Sequence, residues 1–388
     1  MYNVYKLKEL GDNMVYLDYS ATTPTNKEVL DTFMRVSEDF MGNANSLHKL
    51  GIRAKELEMQ ATRQIASLLK VKETEIIYTS GSSESNNLAL KGICLKYQNR
   101  GKRILTTLLE HSSIYGPISY LQKLGFLIDF LETDENGIVK IDSLEEKITE
   151  DTILVSVTAV NSETGVLEPI EEIGRILKKH PKCFFHVDAT QSIGKINLSF
   201  ENVDLISLSA HKIYGIKGIG CLIKKENIEL EPLIHGGKST TKYRSGTPAH
   251  PLIASYAKAL RIALQDLEKK ENYIATLNEK IRKNLETYED VFINSSRLSI
   301  PHILNISVLC IKSETLLHAL EEKDIFISTQ SACATGEMSK AVYAITKDKR
   351  RAQHSVRISL SYQTTEEEVD YFLTCFREIY TKYKNLKR

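Results

Sequence analysis

Short apolar runs alternate with helix-length segments from residue 16 to residue 222 of this 388-residue chain. The runs do not alternate strictly between apolar and polar residues, which is typical of strands covered on both faces in a parallel sheet. They occupy residues 75–80, 103–107, 126–131, 152–160, 183–188 and 205–210. With the helical segments between them, such as residues 168–180, they predict an α/β fold with a mostly parallel sheet.

The pattern changes after residue 251, where fewer and more widely spaced strands are expected. Residues 252–286 form one long helical pattern, followed by a strand at 302–308, a helix at 314–323 and a strand at 356–361. A final helix begins after Thr365, which forms a capping-box pattern with Glu368. We predict a large domain at residues 15–255 and a smaller α+β domain at 256–388, connected by the long helix. Residues 1–14 are expected to pack nearby or to be disordered.

The composition is that of an ordinary globular protein. A formal net charge of +1 gives no attraction to nucleic acid or to an anionic membrane. No apolar run reaches the roughly 18 residues that span a bilayer, and residues 1–13 lack the apolar stretch of a secretory signal. We therefore expect a cytoplasmic protein with no membrane partner and no direct nucleic-acid partner.

One of the six cysteines has a distinctive setting. Cys333 follows Ser331 and Ala332 in a small, polar, loop-like segment. The other five stand in apolar stretches, where free cysteines behave as small buried hydrophobic residues: Cys94, Cys183, Cys221, Cys310 and Cys375. Because none of the spacings is typical of zinc ligands, no metal site is expected.

Residues 209–215 place a lysine between the end of a strand and a glycine-containing turn. Most lysines lie on the surface in water, but ligands of parallel sheets collect at the carboxyl ends of strands. The Ser209 hydroxyl and the His211 imidazole beside Lys212 are suitable donors for an anion. We predict that Lys212 lies in a pocket, where a lysine can be kept partly neutral for imine chemistry.

Two further polar groups follow the strand at residues 183–188. Asp188 stands at its carboxyl end, where a helix N-cap is the alternative role. A carboxylate there can also hold the ring nitrogen of pyridoxal phosphate, which needs such a partner to act as an electron sink. Gln191 can donate to the phenolic oxygen of the same ring.

Glycine and hydroxyl groups stand at the expected start of the helix after residue 80. Backbone N–H groups around Gly81, Ser82 and Ser83 can bind a phosphate there, although a Ser-rich helix cap looks similar. The nucleotide-binding P-loop pattern is absent. His111 also falls at a strand-to-helix junction, where it can stack on a ring and relay protons, or serve a structural role.

Together these segments resemble the cysteine desulfurase family, within the class V aminotransferase-like enzymes that use pyridoxal 5′-phosphate. The matching segments follow in order at residues 17–24, 42–51, 79–87, 110–111, 160–165, 186–192, 209–218, 235–237, 244–247, 331–333 and 356–360. The resemblance implies a fold-type-I architecture, with a large cofactor-binding domain and a smaller α+β domain.

The resemblance also implies individual roles. Lys212 would bind the cofactor covalently and move the substrate α-proton, Asp188 would hold the ring nitrogen, and His111 would stack on the ring. The remaining cofactor contacts would come from Gln191, Ser82, Ser83, Ser209, His211 and, from the second subunit of a homodimer, Thr247. Arg357 would bind the carboxylate of L-cysteine through its planar fork, with Asn43 as a further substrate contact.

The implied activity is that of a cysteine desulfurase. Cys333 would attack the substrate sulfur as a thiolate and become a persulfide, and L-alanine would leave. The sulfur acceptor would be an iron–sulfur scaffold protein or a tRNA thiolation enzyme. The alternatives are a selenocysteine lyase, another class V enzyme, or a non-catalytic scaffold dimer. An aminotransferase would not need Cys333, and a scaffold would be expected to lose Lys212 or Cys333.

The chain departs from the family pattern at two places near the expected pocket. Ser162 stands where the family usually has a second asparagine after Asn161, so one amide contact is shortened or moved. Residues 238–243 replace the usual glycine and Gln-Glu pair and change the expected rim of the pocket.

Overall fold

The computed structural model describes residues 14–237, 241–329 and 338–386, and Cys333 lies outside these ranges. The described strands are β1 Val15–Tyr16, β2 Ile76–Thr79, β3 Arg103–Thr106, β4 Leu127–Phe130, β5 Thr152–Thr158, β6 Phe184–Asp188, β7 Leu205–Ser209, β8 Gly220–Lys224, β9 Val291–Ile293, β10 Ile303–Val308, β11 Ile325–Phe326 and β12 Ser355–Ser359. The described helices are α1 Lys27–Asp39, α2 Lys49–Leu69, α3 Ser82–Lys96, α4 Ser112–Lys123, α5 Ile141–Lys147, α6 Ile170–Leu177, α7 His250–Leu264, α8 Leu267–Leu285, α9 Ser313–Glu321, α10 Lys340–Thr346, α11 Lys349–Gln353 and α12 Glu366–Leu386.

The largest sheet in the described ranges has seven strands in the order β2-β8-β7-β6-β5-β3-β4. The strand β8 is antiparallel to both of its neighbours, and the other pairs are parallel. All six strands expected from the apolar runs form, and β8 is additional to them. The predicted α/β fold with a mostly parallel sheet is confirmed.

Helices cover both faces of this sheet, which explains why its strands are apolar throughout. Phe185 on β6 belongs to a core shared with residues of α2, α6 and α7. Its neighbour Phe184 belongs to the opposite core, shared with residues of α3 and α4. Successive strand residues point to opposite faces, so a strand buried on both sides needs apolar residues at nearly every position.

A second core lies around the antiparallel sheet β12-β10-β9 and contains residues of α8, α9 and α12. Val15 and Leu17 from the start of the described chain also belong to it, because β1 pairs in parallel with β11. The capping box predicted for α12 is present, since Thr365 and Glu368 exchange side-chain to backbone hydrogen bonds of 2.7 and 3.1 Å. Where the chain divides into domains remains a proposal; the proposed boundary between 255 and 256 falls inside α7.

The single long helix predicted at residues 252–286 is wrong, because α7 and α8 are separate helices. Asp266 between them has a φ of 51°, a left-handed conformation that ends a right-handed helix. Ala257 and Leu260 of α7 pack in the core of the large sheet, whereas α8 packs in the second core. The break therefore lets consecutive helices serve different cores.

No helix in the described ranges is both long and apolar enough to cross a membrane.

Candidate active site

A cavity of about 220 Å³ lies beside the carboxyl ends of β5 and β6, among the loops that follow the strands of the parallel sheet. Eight of the residues predicted for the site line it: Ser82, Ser83, His111, Asp188, Gln191, His211, Lys212 and Arg357. Seven of them lie at or after the carboxyl ends of strands of the large sheet and meet because these strands end at the same edge, whereas Arg357 comes from β12 of the three-stranded sheet.

The Lys212 side chain enters this cavity from a single 3₁₀ turn, Ala210–Lys212, directly after β7. Its amine donates to the carbonyl oxygens of Ser20 at 2.5 Å and Ala21 at 2.6 Å. Both carbonyls belong to the segment after β1, which sequence reasoning did not identify as part of the site. The lysine amine is thus held at a defined position in the cavity wall.

Asp188 ends β6 and is almost fully buried. One carboxylate oxygen accepts from the side-chain amide of Asn86 at 2.7 Å, and the other accepts from the Thr190 N–H at 3.0 Å. Two carboxylate oxygens offer about four acceptor positions, so capacity remains for a cationic N–H in the cavity. Asn86 was not predicted as a site residue, although it lies one turn after Ser82 on α3.

His111 is the N-cap of α4, and its ring is fixed by that role. Its Nδ1 accepts from the Ser113 N–H at 3.1 Å and lies 2.8 Å from the Ser113 hydroxyl. The neutral ring therefore carries its proton on Nε2. Burial lowers the pKa of His111 below its usual value, and the negative charge of Asp188 opposes this only in part.

The first turn of α3 has the geometry of an anion site. Its N-cap, Gly81, has no side chain to occupy the first N–H groups of the helix, which lack partners within the helix. Gly220 at the start of β8 packs closely against Gly81. A Cβ atom at position 220 would lie 2.8 Å from Gly81 Cα, so a glycine is needed there as well. Ser209 is buried near this turn, where a Cβ on Gly81 would lie 3.5 Å from its Oγ.

His211 lines the cavity next to Lys212. Burial, followed by the positive charge of Lys212, lowers the pKa of His211 to about 4. The imidazole is therefore neutral at physiological pH, and a dianionic phosphate nearby would favour its protonated form.

Arg357 on β12 is the largest of the fully buried side chains among the described residues. Its guanidinium donates to the Ser162 carbonyl at 2.9 Å and to the Asp18 carboxylate at 2.6 Å. Its Nε is buried and has no hydrogen-bond partner among the described residues. The position that departs from the family pattern, Ser162, therefore contributes a backbone oxygen to the wall beside Arg357.

Three predicted site residues do not line this cavity. Ser209 lies behind the first turn of α3, as described above. Asn43 is exposed between α1 and α2, and its side chain accepts from the Asn45 N–H at 2.9 Å. Thr247 is exposed beside a different surface depression, together with Arg244.

Cys333 lies outside the described residues, but Ser328 before it contacts a residue of the cavity wall, and Ser339 after it contacts the segment that follows Ser162. The Ser328 and Arg357 backbones exchange two hydrogen bonds, of 3.1 and 2.6 Å. The Ser339 hydroxyl donates to the Glu163 carboxylate at 2.6 Å. The other five cysteines are buried, as predicted.

The residues around the cavity fit pyridoxal phosphate. Asp188 would hold the ring nitrogen, Lys212 would hold the aldehyde carbon, and the first turn of α3 would hold the phosphate. No group of three or more potential metal ligands occurs among the described residues. Fold and site together define a pyridoxal-phosphate-dependent enzyme of fold type I.

Comparisons with known proteins agree with this class. The aminotransferase class-V family matches residues 15–372. Cysteine desulfurase IscS of Vibrio atlanticus (strain LGP32) is 39% identical over 382 residues, covering 96% of this chain and 94% of the relative. A solved NifS-like protein has a TM-score of 0.90 and 36% identity, covering 95% of this chain and 99% of that chain. The solved structure of SspA in complex with cysteine has a TM-score of 0.80 and 31% identity, covering 90% and 100%.

The chain belongs to the class V aminotransferase family and, within it, to the cysteine desulfurases. The predicted family, fold class and dependence on pyridoxal phosphate are confirmed.

Proposed function

We propose that this chain removes sulfur from L-cysteine in the cavity around Lys212, releases L-alanine and carries the sulfur as a persulfide on Cys333. One observation carries the proposal: a single cavity joins the Lys212 amine, the buried Asp188 carboxylate and the Arg357 guanidinium. A structural relative solved in complex with cysteine supports the choice of substrate.

Lys212 would be the base for the α-proton of cysteine. Bound pyridoxal phosphate supplies an electron sink that makes this proton acidic. The carbonyl oxygens of Ser20 and Ala21 orient the amine, and in its neutral form Nζ takes the proton and returns it to the substrate. Asp188 would keep the ring nitrogen protonated, which the electron sink requires.

Arg357 would bind the carboxylate of cysteine. Its buried Nε has no partner among the described residues, whereas the other two nitrogens are held by Ser162 and Asp18. A substrate carboxylate in the cavity would pair with the guanidinium in its wall, and the ion pair with Asp18 would fix the plane of the guanidinium. This contact would give the substrate a defined orientation with respect to Lys212.

His111 would hold a proton near the substrate. Because Nδ1 accepts from Ser113, the Nε2–H group is the part of the neutral ring that can donate to a ligand in the cavity. A donor at this position would stabilise negative charge that develops on the substrate when its proton leaves.

Cys333 would then take the sulfur. Its thiolate attacks the substrate sulfur, an S–S bond forms, and the Cβ–S bond breaks with its electron pair remaining on carbon, which takes up protons to give alanine. The contact of Ser328 with Arg357 in the cavity wall supports this role. Five residues span at most about 18 Å, so the contact at Ser328 would keep Cys333 within reach of the cavity.

We further propose that the chain forms a homodimer in the cytoplasm. The dimer would pass its sulfur to an iron–sulfur scaffold protein or to a tRNA thiolation enzyme. Thr247 is exposed and lies away from the cavity of its own chain, which suits a phosphate contact in a partner subunit. The segment between α1 and α2 exposes Met41 and Leu47 by 81% and 94%. We propose that the partner subunit covers these two side chains.

The decisive experiment is the variant Cys333→Ser, prepared with bound cofactor. Its visible absorption and the spectral change on adding cysteine should match wild type, because Lys212 and Arg357 are intact. Sulfide release in the presence of a thiol reductant should fall by at least about a hundredfold, since a serine hydroxyl is a far poorer nucleophile. Cys375→Ala, which alters a buried cysteine of α12, is the control and should retain activity. Full sulfide release from Cys333→Ser would refute the assignment.

A further inference from the structure

A second lysine, Lys195, is buried next to the candidate active site. Its side chain is only 7% exposed and lies in the turn-rich segment between β6 and β7. Its amine donates to the Oε1 atom of Gln191. Among the described residues it forms no ion pair with a carboxylate, although a buried ammonium normally requires one.

The groups that act electrostatically on Lys195 are basic. Burial and then the positive charges of Lys212 and Arg357 lower the pKa of Lys195 well below its usual value. Lys195 acts in turn on His302 at the start of β10, whose pKa is lowered to about 3 by burial and then by this lysine. It also contributes to the lowered pKa of His211. Salt bridging therefore does not explain why a lysine is placed here.

Hydrogen bonds connect Lys195 to the cofactor-binding lysine. Gln191 accepts from Lys195 through Oε1 and donates through Nε2 to the Ser20 carbonyl at 2.9 Å. The same carbonyl oxygen accepts from the Lys212 amine at 2.5 Å. One continuous chain of hydrogen bonds therefore joins Lys195, Gln191, Ser20 and Lys212. Within this chain, the side-chain amide of Gln191 can in principle exchange the positions of its oxygen and its nitrogen.

We propose that Lys195 is a positioning residue that fixes the orientation of the Gln191 amide, so that its N–H groups and not its oxygen face the cavity side. A flipped amide would place its NH₂ group against the Lys195 amine and its oxygen against the Ser20 carbonyl. Both hydrogen bonds would be lost. The inference rests on the proposed function and on the contact expected from the sequence, in which Gln191 donates to the phenolic oxygen of the cofactor.

The test uses the holoenzyme variant Lys195→Met, which keeps the length of the side chain and removes its donor. The visible absorption of the bound cofactor is titrated with pH. We expect the midpoint to move upward by about one pH unit, because the hydrogen bond that a correctly oriented Gln191 donates favours the deprotonated form of the cofactor. The value of kcat/KM should fall about tenfold, mainly through kcat.

A double-mutant cycle separates positioning from a general structural effect. Gln191→Leu alone should move the midpoint as far as Lys195→Met, and the double variant should move it no further. Lys195→Arg, which retains a donor, should restore most of the wild-type midpoint. Lys224→Met is the matched control, because Lys224 is also a buried lysine and donates to the Ile228 carbonyl at 2.7 Å away from the cavity; its midpoint should equal that of wild type.

Additive shifts in the double variant would overturn the proposal, and so would an unchanged midpoint in Lys195→Met. If Lys195→Met does not fold, Gln191→Leu provides the test. An unchanged midpoint in Gln191→Leu would show that Gln191 does not affect the cofactor, so that Lys195 could not act through it. Failure of the proposed function looks different: wild-type protein loaded with cofactor would show no visible absorption band of a lysine-bound cofactor.

Discussion

The guanidinium of Arg357 and the carboxylate of Asp18 form an ion pair of 2.6 Å, with the arginine side chain only 1% exposed. The pair joins β12 to the segment after β1, although 339 positions separate the two residues in sequence. It orients one edge of the guanidinium toward protein and leaves Nε without a described partner. The ion pair fixes the position of the guanidinium that we propose as the carboxylate-binding group.

The first prediction concerns Arg357→Lys. Lysine keeps the positive charge but cannot hold Asp18, the Ser162 carbonyl and a substrate carboxylate in one plane. The KM for cysteine should rise by roughly 10- to 100-fold, while the visible absorption of the bound cofactor stays as in wild type. Steady-state alanine release measures the first quantity and a spectrum of the purified holoenzyme measures the second. An unchanged KM would remove Arg357 from the substrate site.

A second prediction concerns the pH dependence of catalysis through His111. Burial lowers the pKa of this imidazole from its ordinary value of 6.5, so the neutral ring persists as the pH falls through that value. Because both the neutral and the protonated ring carry the Nε2–H donor, His111 should add no acid limb to the pH profile, and kcat of His111→Ala should fall by about a hundredfold on both sides of pH 6.5. His318→Ala, which changes an exposed histidine of α9, is the control. Wild-type kcat in His111→Ala would contradict this role.

Sequence patterns were sufficient to predict the strands of the large sheet because those strands are apolar on both faces. They did not reveal the break at Asp266, since the helical periodicity of α7 continues into α8 without a proline or glycine. The loops after β3, β6 and β7 were correctly expected to meet, which follows from parallel strands ending at one edge.

The partners of the predicted site residues were harder to predict. Backbone carbonyls such as that of Ser20 carry no side-chain signature, and the contact of Ser20 with Lys212 spans 192 positions. The pairing of Asn86 with Asp188 depends on how α3 packs on the sheet. Its one sequence signal is the position of Asn86 on the predicted helix one turn after the Ser-rich start.

A third prediction concerns folding stability and Glu168, a buried residue away from the cavity. Burial raises the pKa of its carboxyl from 4.5 to about 8, so between these values the folded state keeps a proton that the unfolded state releases. Stability from this group is present below pH 4.5 and is lost as the pH rises toward 8. Glu168→Gln should therefore gain roughly 2–4 kcal/mol relative to wild type between pH 5 and pH 8.

Urea unfolding followed by circular dichroism measures this difference; the chain has no tryptophan to report by fluorescence. The exposed Glu172 provides the control variant Glu172→Gln, which should follow wild type at both pH values. Equal stability differences at pH 5 and pH 8 for Glu168→Gln would show that Glu168 does not titrate as described.

A fourth prediction concerns the proposed dimer. Aspartate at both Met41 and Leu47 should convert a dimer to a monomer in sedimentation velocity, because two charges would be buried in the interface. Leu298→Asp changes a residue that is also exposed, by 61%, and should leave the dimer intact.

Thr247→Ala should keep the dimer and weaken cofactor binding by about tenfold, which corresponds to the loss of one hydrogen bond to a phosphate. A wild-type protein that sediments as a monomer would contradict the proposal.

The most direct test of the account is to locate the cofactor on the chain. The holoenzyme is reduced with borohydride, which makes the link between cofactor and lysine permanent, and its proteolytic peptides are analysed by mass spectrometry. We expect the phosphopyridoxyl mass on the peptide that contains Lys212 and its absence from the Lys212→Ala variant. Phosphopyridoxyl mass on another lysine of wild type, such as the neighbouring Lys195, would contradict it.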